Sequence, residues 1–175
     1  WKQSNHLIRG EKLWGALRRE KGDFRCAKMF WWYNMYSSAD WSVTPRPIYP
    51  ADGRKVFDVY AHPPGLRDKL VGELGEFPFP SFWGPRAGLP SSQWIADSAR
   101  WVEEWEQPDL NLVYLPHLDY GLQRWGPDAP EMGAEFEAID RLVDELISFF
   151  VKRGVEVILL SEYGISKVRR PVHLN

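Results

Sequence analysis

The sequence contains a single cysteine, Cys26, among its 175 residues. One thiol can supply neither an internal disulfide framework nor a cysteine-based zinc site, and its apolar surroundings predict a small strand residue. The chain also has almost no excess of one charge over the other, because it contains 22 Lys and Arg residues and 24 Asp and Glu residues. Affinity for a phosphate backbone needs clustered basic side chains, so the formal net charge of −2 argues against a nucleic acid polymer as partner.

Long apolar runs are missing as well. No stretch approaches the roughly 20 apolar residues that a membrane helix requires, which argues against a membrane partner. The chain begins at Trp1 without an initiator Met and without a secretory apolar region, which favours a cytoplasmic location. Its abrupt ends at Trp1 and Asn175 indicate an internal piece of a longer protein. The oligomeric state is left open by these observations.

Tryptophan is present in excess, with 10 residues, and the chain also holds 14 prolines. The aromatic and proline-rich part, residues 1–90, is predicted to be largely irregular, with loops over 31–50 and 77–85. Residues 91–175 show regular hydrophobic periodicity and no internal repeat. We therefore predict one domain over 1–175 that combines an irregular part with a regular α/β part.

Apolar spacing predicts the individual elements. Helices are predicted over 10–20, 66–74, 92–106 and 130–153, and strands over 24–29, 56–60, 110–115 and 155–160. The longest helix is predicted to bury one stripe, formed by Met132, Phe136, Ile139, Val143, Leu146 and Phe150. The helix before it is predicted to place three tryptophans in the core, namely Trp94, Trp101 and Trp105.

The order of elements between residues 110 and 160 is strand, long helix, strand. Antiparallel strands need only a tight turn, whereas a helix between two strands implies a parallel, right-handed crossover. The predicted fold class is therefore α/β, a mostly parallel sheet with helices on both faces.

Polar residues follow two of the predicted strands. Asp119 comes after strand 110–115, across a predicted loop, and Glu162 comes two residues after strand 155–160. Parallel neighbours would bring both carboxylates to the same edge of the sheet, where they would hold a cation or act as an acid/base pair. Turn formation and helix capping are the commoner roles of acidic residues at such positions.

Several motifs occur in a fixed order in this part of the chain. They are Tyr114-Leu115-Pro116-His117-Leu118-Asp119, then Arg124-Trp125-Gly126-Pro127, Ile139-Asp140 and Ser161-Glu162-Tyr163-Gly164. In this order they resemble the nucleotide pyrophosphatase/phosphodiesterase branch of the alkaline phosphatase superfamily. Its first loop reads Asp-x-x-x-His before Gly-Pro, and its second strand ends Ser-Asp-His-Gly. The resemblance is strongest over 108–166 and implies an incomplete alkaline-phosphatase-like fold.

The resemblance implies hydrolysis of a phosphodiester or pyrophosphate bond in a nucleotide or other small phosphorylated molecule. The family uses two divalent metal ions, usually zinc. Asp119 falls on the metal-binding Asp of the first motif and Glu162 on the Asp of the second. Gln123 and Tyr163 stand where the family has histidines, so the ligands shift toward oxygen and favour Mg, Mn or Ca. His117 and His173 are candidate substitutes, although an ordinary structural histidine is the commoner outcome at each position.

The resemblance also implies a nucleophile that we do not find. The lone threonine, Thr44, precedes Pro45, which disfavours a helix start there, so we interpret Thr44 as structural and expect the chain alone to be inactive. The aromatic residues Trp31, Trp32 and Tyr33 pack in the core or stack on a substrate ring. Two alternatives stay open: a non-catalytic relative that binds a ligand, and an unrelated tryptophan-rich carbohydrate-binding module.

Overall fold

The computed structural model describes residues 3–170 and residue 172, so the candidate His173 lies outside the described residues. The elements, in chain order, are α1 (Leu13–Glu20), β1 (Cys26–Met29), β2 (Trp41–Pro45), β3 (Val59–His62), α2 (Leu66–Leu74), α3 (Leu89–Glu106), β4 (Leu110–Val113), α4 (His117–Trp125) and α5 (Met132–Val151). Short 3-10 turns lie at Asn5–Leu7 and Phe79–Ser81.

The chain divides into two compact units. The first comprises the described residues up to Phe79 together with Gln93–Leu115, and the second comprises Pro80–Ser92 together with the described residues from Pro116 onward. A single domain over 1–175 stays a prediction.

The first unit is built on a four-stranded sheet with the order β3-β2-β1-β4. β1 pairs in parallel with both β2 and β4, and β3 runs antiparallel to β2. In this register Lys28 lies beside Ser42 on one neighbour and beside Leu112 on the other. The predicted mostly parallel α/β sheet is thereby confirmed.

Helices cover both faces of this sheet. On one face Trp14 of α1 packs with Cys26 and Ala39, and Leu110 and Leu112 of β4 lie against this cluster. Side chains alternate between the faces of a strand. Asn111 accordingly points the other way, where its Nδ2 donates to the backbone oxygen of Ala99 on α3, at 3.5 Å. The predicted placement of helices on both faces therefore holds.

Two elements were predicted as irregular chain and are regular. β2 lies inside the segment 31–50, where it runs buried between β1 and β3. A strand that is buried on both faces usually shows as a continuous apolar run. β2 lacks such a run, because two of its buried residues, Ser42 and Thr44, are polar. α4 fills most of the predicted loop after 110–115, and it ends at Gly126, whose φ of 82° favours glycine.

The predicted strand over 155–160 is wrong. These residues have no regular secondary structure, and all of their apolar side chains except that of Val155 are exposed, Ile158 by 80%. A strand needs hydrogen-bonding neighbours as well as apolar, β-branched residues, so the local pattern alone does not form one. The parallel crossover predicted from 110 to 160 therefore has no second strand.

Two predicted core sets are partly wrong. α5 buries Met132, Leu142, Leu146 and Phe150, whereas Phe136 of the predicted stripe is exposed. On α3 Trp94 is buried as predicted, but Trp105 is 70% exposed. In both helices the predicted set of apolar residues is larger than the set that is buried. The spacing of apolar residues alone therefore does not show which of them lie in the core.

Among the described residues, every helix is too short or too polar to cross a membrane.

Candidate functional site

α4, in the second unit, places two of the predicted site residues on one face. Asp119 lies in its first turn, and Gln123 follows four residues later. Residues four apart on an α-helix are neighbours on its surface. The Asp-x-x-x-Gln spacing therefore presents a carboxylate and an amide side by side.

A hydrogen bond joins Asp119 to the second motif. The Tyr163 hydroxyl donates to Oδ1 of Asp119 at 2.5 Å, although the two residues are 44 positions apart. Ser161 supports this arrangement, because its hydroxyl donates to the backbone oxygen of Tyr163 at 2.6 Å. Two predicted site residues thus meet without the predicted strand between them.

Glu162 adjoins Tyr163 in the chain and has an exposed side chain. Its convergence with Asp119 on a common cation stays a prediction, as do the roles assigned to Gln123 and Tyr163.

His117 begins α4 and is buried, with 6% of its surface exposed. Its Nε2 lies 2.8 Å from Oε2 of Glu135, in the first turn of α5. The sequence analysis did not single out Glu135, and only its place three residues into a helix marks it among the many acidic residues. The predicted role of His117 in lining the site stays a prediction.

The donor chemistry of these residues fits some metal ions better than others. The carboxylates of Asp119 and Glu162 and the amide of Gln123 offer oxygen, which suits Mg, Mn or Ca, whereas zinc favours the nitrogen and sulfur of His and Cys. Within the described residues, no group of three or more His, Cys, Asp or Glu side chains is placed to hold a metal. The donor atoms of these residues therefore suit an oxygen-coordinated ion better than zinc, and their role as metal ligands stays a prediction.

The segment after β1, in the first unit, carries the other predicted site residues. Phe30, Tyr33 and Tyr36 have positive φ angles of 58°, 53° and 58°. Bulky residues rarely adopt this left-handed conformation, which costs free energy and persists only when surrounding contacts hold it. Asn34 supplies such contacts, because its buried Nδ2 donates to the backbone oxygens of Lys28 and Val43 at 2.8 and 2.9 Å.

This strained aromatic loop leaves Trp32 42% exposed. The Trp32 ring lies 5.9 Å from that of Tyr114, centroid to centroid, at an interplanar angle of 58°. Trp31 and Tyr33 are half-buried. Of the three predicted stacking residues, Trp32 therefore offers the most ring surface, and its stacking on a substrate stays a prediction.

β1 also buries two ionisable side chains on the face that α1 covers. Lys28 is fully buried, and its Nζ lies 4.4 Å from the centroid of the Trp14 ring. Burial lowers the pKa of Lys28 to about 8 and raises the pKa of the Cys26 thiol to about 12. The sequence analysis missed Lys28, and its place in a four-residue apolar strand is the signal that marks it.

Comparison with known proteins gives two matches and one negative result. A family model described as "Type I phosphodiesterase / nucleotide pyrophosphatase" matches residues 1–175. A protein of Schizosaccharomyces pombe described as an "Uncharacterized pyrophosphatase/phosphodiesterase" is 34% identical over 65 residues, which cover 35% of this chain and 13% of that relative. No solved structure matches the chain.

Proposed function

Because this chain belongs to the type I phosphodiesterase/nucleotide pyrophosphatase family, we propose that it takes part in hydrolysing a phosphodiester or pyrophosphate bond. Members of this family generally use divalent metal ions and act on small phosphoester substrates. A nucleotide or another small phosphorylated molecule is accordingly the proposed substrate, and a nucleic acid polymer is not. The observation that carries the proposal is the hydrogen bond from Tyr163 to Asp119, which joins both family motifs.

Asp119 and Glu162 are the proposed ligands of a divalent cation in the whole protein. The Tyr163 hydroxyl donates to Oδ1 of Asp119, so the second motif, which contains Glu162, lies next to this carboxylate. Gln123 lines the same face of α4. A bound cation would stabilise negative charge on the phosphoryl oxygens, and we propose Mg, Mn or Ca in preference to zinc because the donors are oxygens.

Removing metal from the full-length protein tests this proposal. We expect a chelator to abolish cleavage of bis(p-nitrophenyl) phosphate, measured by p-nitrophenol release. Mn²⁺ or Mg²⁺ should restore the rate better than Zn²⁺, because the proposed ligands lack imidazole. Full activity after exhaustive chelation would contradict a metal-dependent reaction.

A second candidate function is ligand binding without catalysis. It is favoured by Gln123 and Tyr163, which supply weaker metal ligands than imidazole. The chelation experiment separates the two functions, since a non-catalytic relative would bind a nucleotide and release no product with any metal.

Trp32 is the proposed stacking surface for a ring of the substrate, flanked by Trp31 and Tyr33. Stacking on an aromatic side chain contributes about 1–3 kcal/mol per base. We therefore expect Trp32→Ala to raise KM for thymidine 5′-p-nitrophenyl phosphate by about 5–100-fold. For methyl p-nitrophenyl phosphate, which carries no nucleobase, the change in KM should be much smaller.

Trp105→Ala is the matched control, because Trp105 is also an exposed tryptophan. Equal losses for both substrates, or an equal effect of Trp105→Ala, would show that Trp32 does not recognise the base.

A further inference from the structure

The strained aromatic loop, residues 30–36, is held by the segment that precedes α1. The backbone N–H of Tyr33 donates to Oε1 of Gln3 at 2.6 Å, and the Asn5 side chain donates to the backbone oxygen of Tyr33 at 2.9 Å. Backbone hydrogen bonds also join Met35 to Gln3, at 2.9 Å, and to Asn5, at 2.8 Å. The loop is therefore fixed by residues that lie 28 and 30 positions before Tyr33 in the chain.

A second set of contacts ties the loop to the sheet. The fully buried Asn34 side chain donates to the backbone oxygens of Lys28 in β1 and Val43 in β2. The buried Phe30 ring packs against that of Phe77, with 4.7 Å between the centroids. Left-handed residues other than glycine persist only where the surroundings over-determine them, and such strain clusters at ligand-binding sites. These contacts supply that support.

The loop stands at the edge of the sheet where its parallel strands end. It follows β1, and Tyr114 follows the parallel neighbour β4, with its backbone N–H donating to the backbone oxygen of Met29 at 3.1 Å. Ligands bind beyond this edge in open parallel sheets. Trp32 lies against the Tyr114 ring there and still exposes much of its surface. A mobile loop would present the Trp32 ring in many directions, whereas the held loop presents it in one.

We propose that Gln3 and Asn34 are positioning residues, which hold the aromatic loop so that Trp32 is oriented for a nucleobase before the substrate binds. This inference rests on the proposed stacking role of Trp32, and it assigns no contact with the substrate to Gln3 or Asn34. When only a fraction of the protein has the binding-competent conformation, the apparent affinity falls by that fraction. Loss of a hydrogen bond that holds the loop therefore weakens binding of the base and leaves the chemical step unchanged.

The test measures binding of thymidine 5′-monophosphate to the full-length protein by calorimetry, together with kcat and KM for thymidine 5′-p-nitrophenyl phosphate and methyl p-nitrophenyl phosphate. Gln3→Met keeps the length of the side chain and removes the oxygen that accepts from Tyr33. It should weaken binding and raise KM for the nucleotide substrate by about 3–10-fold, with kcat and the KM for the base-free substrate within about twofold of the wild type. Gln3→Glu should restore most of the affinity, because it keeps an accepting oxygen.

Asn34→Ala should show the same pattern, since it removes the donor to β1 and β2. Gln93→Met is the matched control. Gln93 is a half-buried glutamine whose side chain donates to Asp97 within α3, at 3.1 Å. The control should bind thymidine 5′-monophosphate as the wild type does.

A double variant separates a positioning role from a merely structural one. In a Trp32→Ala background Gln3→Met should have no further effect on binding, because Gln3 acts through Trp32. If Gln3→Met weakens binding equally in both backgrounds, or raises KM for both substrates alike, the positioning role is wrong.

The outcomes also separate this inference from the role of Trp32 on which it rests. If Trp32→Ala weakens binding while Gln3→Met and Asn34→Ala bind as the wild type does, the stacking role stands and the inference is wrong. If Trp32→Ala binds thymidine 5′-monophosphate normally, the stacking role fails and the inference fails with it. Should Asn34→Ala not fold, the comparison of Gln3→Met with Gln3→Glu decides, because only a positioning role predicts weaker binding in the first variant than in the second.

Discussion

Asp119→Asn in the full-length protein is expected to lower kcat/KM for bis(p-nitrophenyl) phosphate by at least about 100-fold. Removing a residue that merely supports a metal ligand already costs about 10–100-fold, and Asp119 is the proposed ligand itself. Asparagine keeps the shape of the side chain and an oxygen that accepts the Tyr163 hydrogen bond. The variant therefore removes the negative charge with little change in packing, which makes the loss a measure of that charge.

Asp140→Asn provides the matched control, because Asp140 is an exposed carboxylate on α5. We expect its kcat/KM to stay within about twofold of the wild type, since exposed substitutions away from structural features usually have small effects. An Asp119→Asn variant that retains wild-type turnover would contradict the proposed function.

The second large expected effect concerns stability. Lys28→Met is expected to raise the free energy of unfolding at pH 7 by about 1–3 kcal/mol. The pKa of Lys28 falls from 10.5 to about 8 on folding, mainly because burial penalises the charged amine. Each pKa unit corresponds to about 1.4 kcal/mol, and the contact with the Trp14 ring offsets part of the gain from replacing the amine.

The pH dependence gives an independent check of the same group. Between pH 8 and 10.5 the unfolded chain still binds the Lys28 proton while the folded protein has released it. The stability contributed by this group must therefore rise with pH through that window and stay at its lowest level below it. Urea unfolding at pH 7, 9 and 10.5 should show this rise in the wild type and a smaller rise in Lys28→Met.

Lys55→Met is the control for stability, because Lys55 is exposed. It should leave both the free energy of unfolding and its pH dependence near the wild-type values. If Lys28→Met is less stable than the wild type at pH 7, the contacts of the amine stabilise the folded state by more than its burial destabilises it.

Local patterns in the sequence predicted most of the helices and strands. α2 occupies the predicted residues, and α1, α3 and α5 lie within a few residues of the predicted bounds. These segments have clear periodicity and proline or glycine near their ends, and such signals are local. β2 was missed because it contains buried polar residues, which are not typical of a buried strand. α4 was missed because prolines and glycines flank it, and these residues are typical of loops.

The candidate site was predicted in part. Asp119 and Tyr163 were both singled out from the sequence, and the structure joins them by a hydrogen bond. The predicted convergence was between Asp119 and Glu162, and it assumed a strand over 155–160 that does not form. The neighbours of His117 and Lys28, Glu135 and the Trp14 ring, were not predicted, since contacts between distant residues leave no periodic signal.

The order of apolar, proline and glycine residues alone determined the extent of the long helices, and the residue order around Asp119 carried the family motifs. The α/β class was predicted correctly, but the parallel pairs that form the sheet are β1 with β2 and β1 with β4. Tertiary structure alone decided which apolar side chains are covered, which acid His117 meets and how deeply Lys28 is buried. The physical reason is that helix periodicity and turn preferences act between residues close in the chain. Burial, charge pairing and the desolvation that moves a pKa depend on neighbours that only packing brings together.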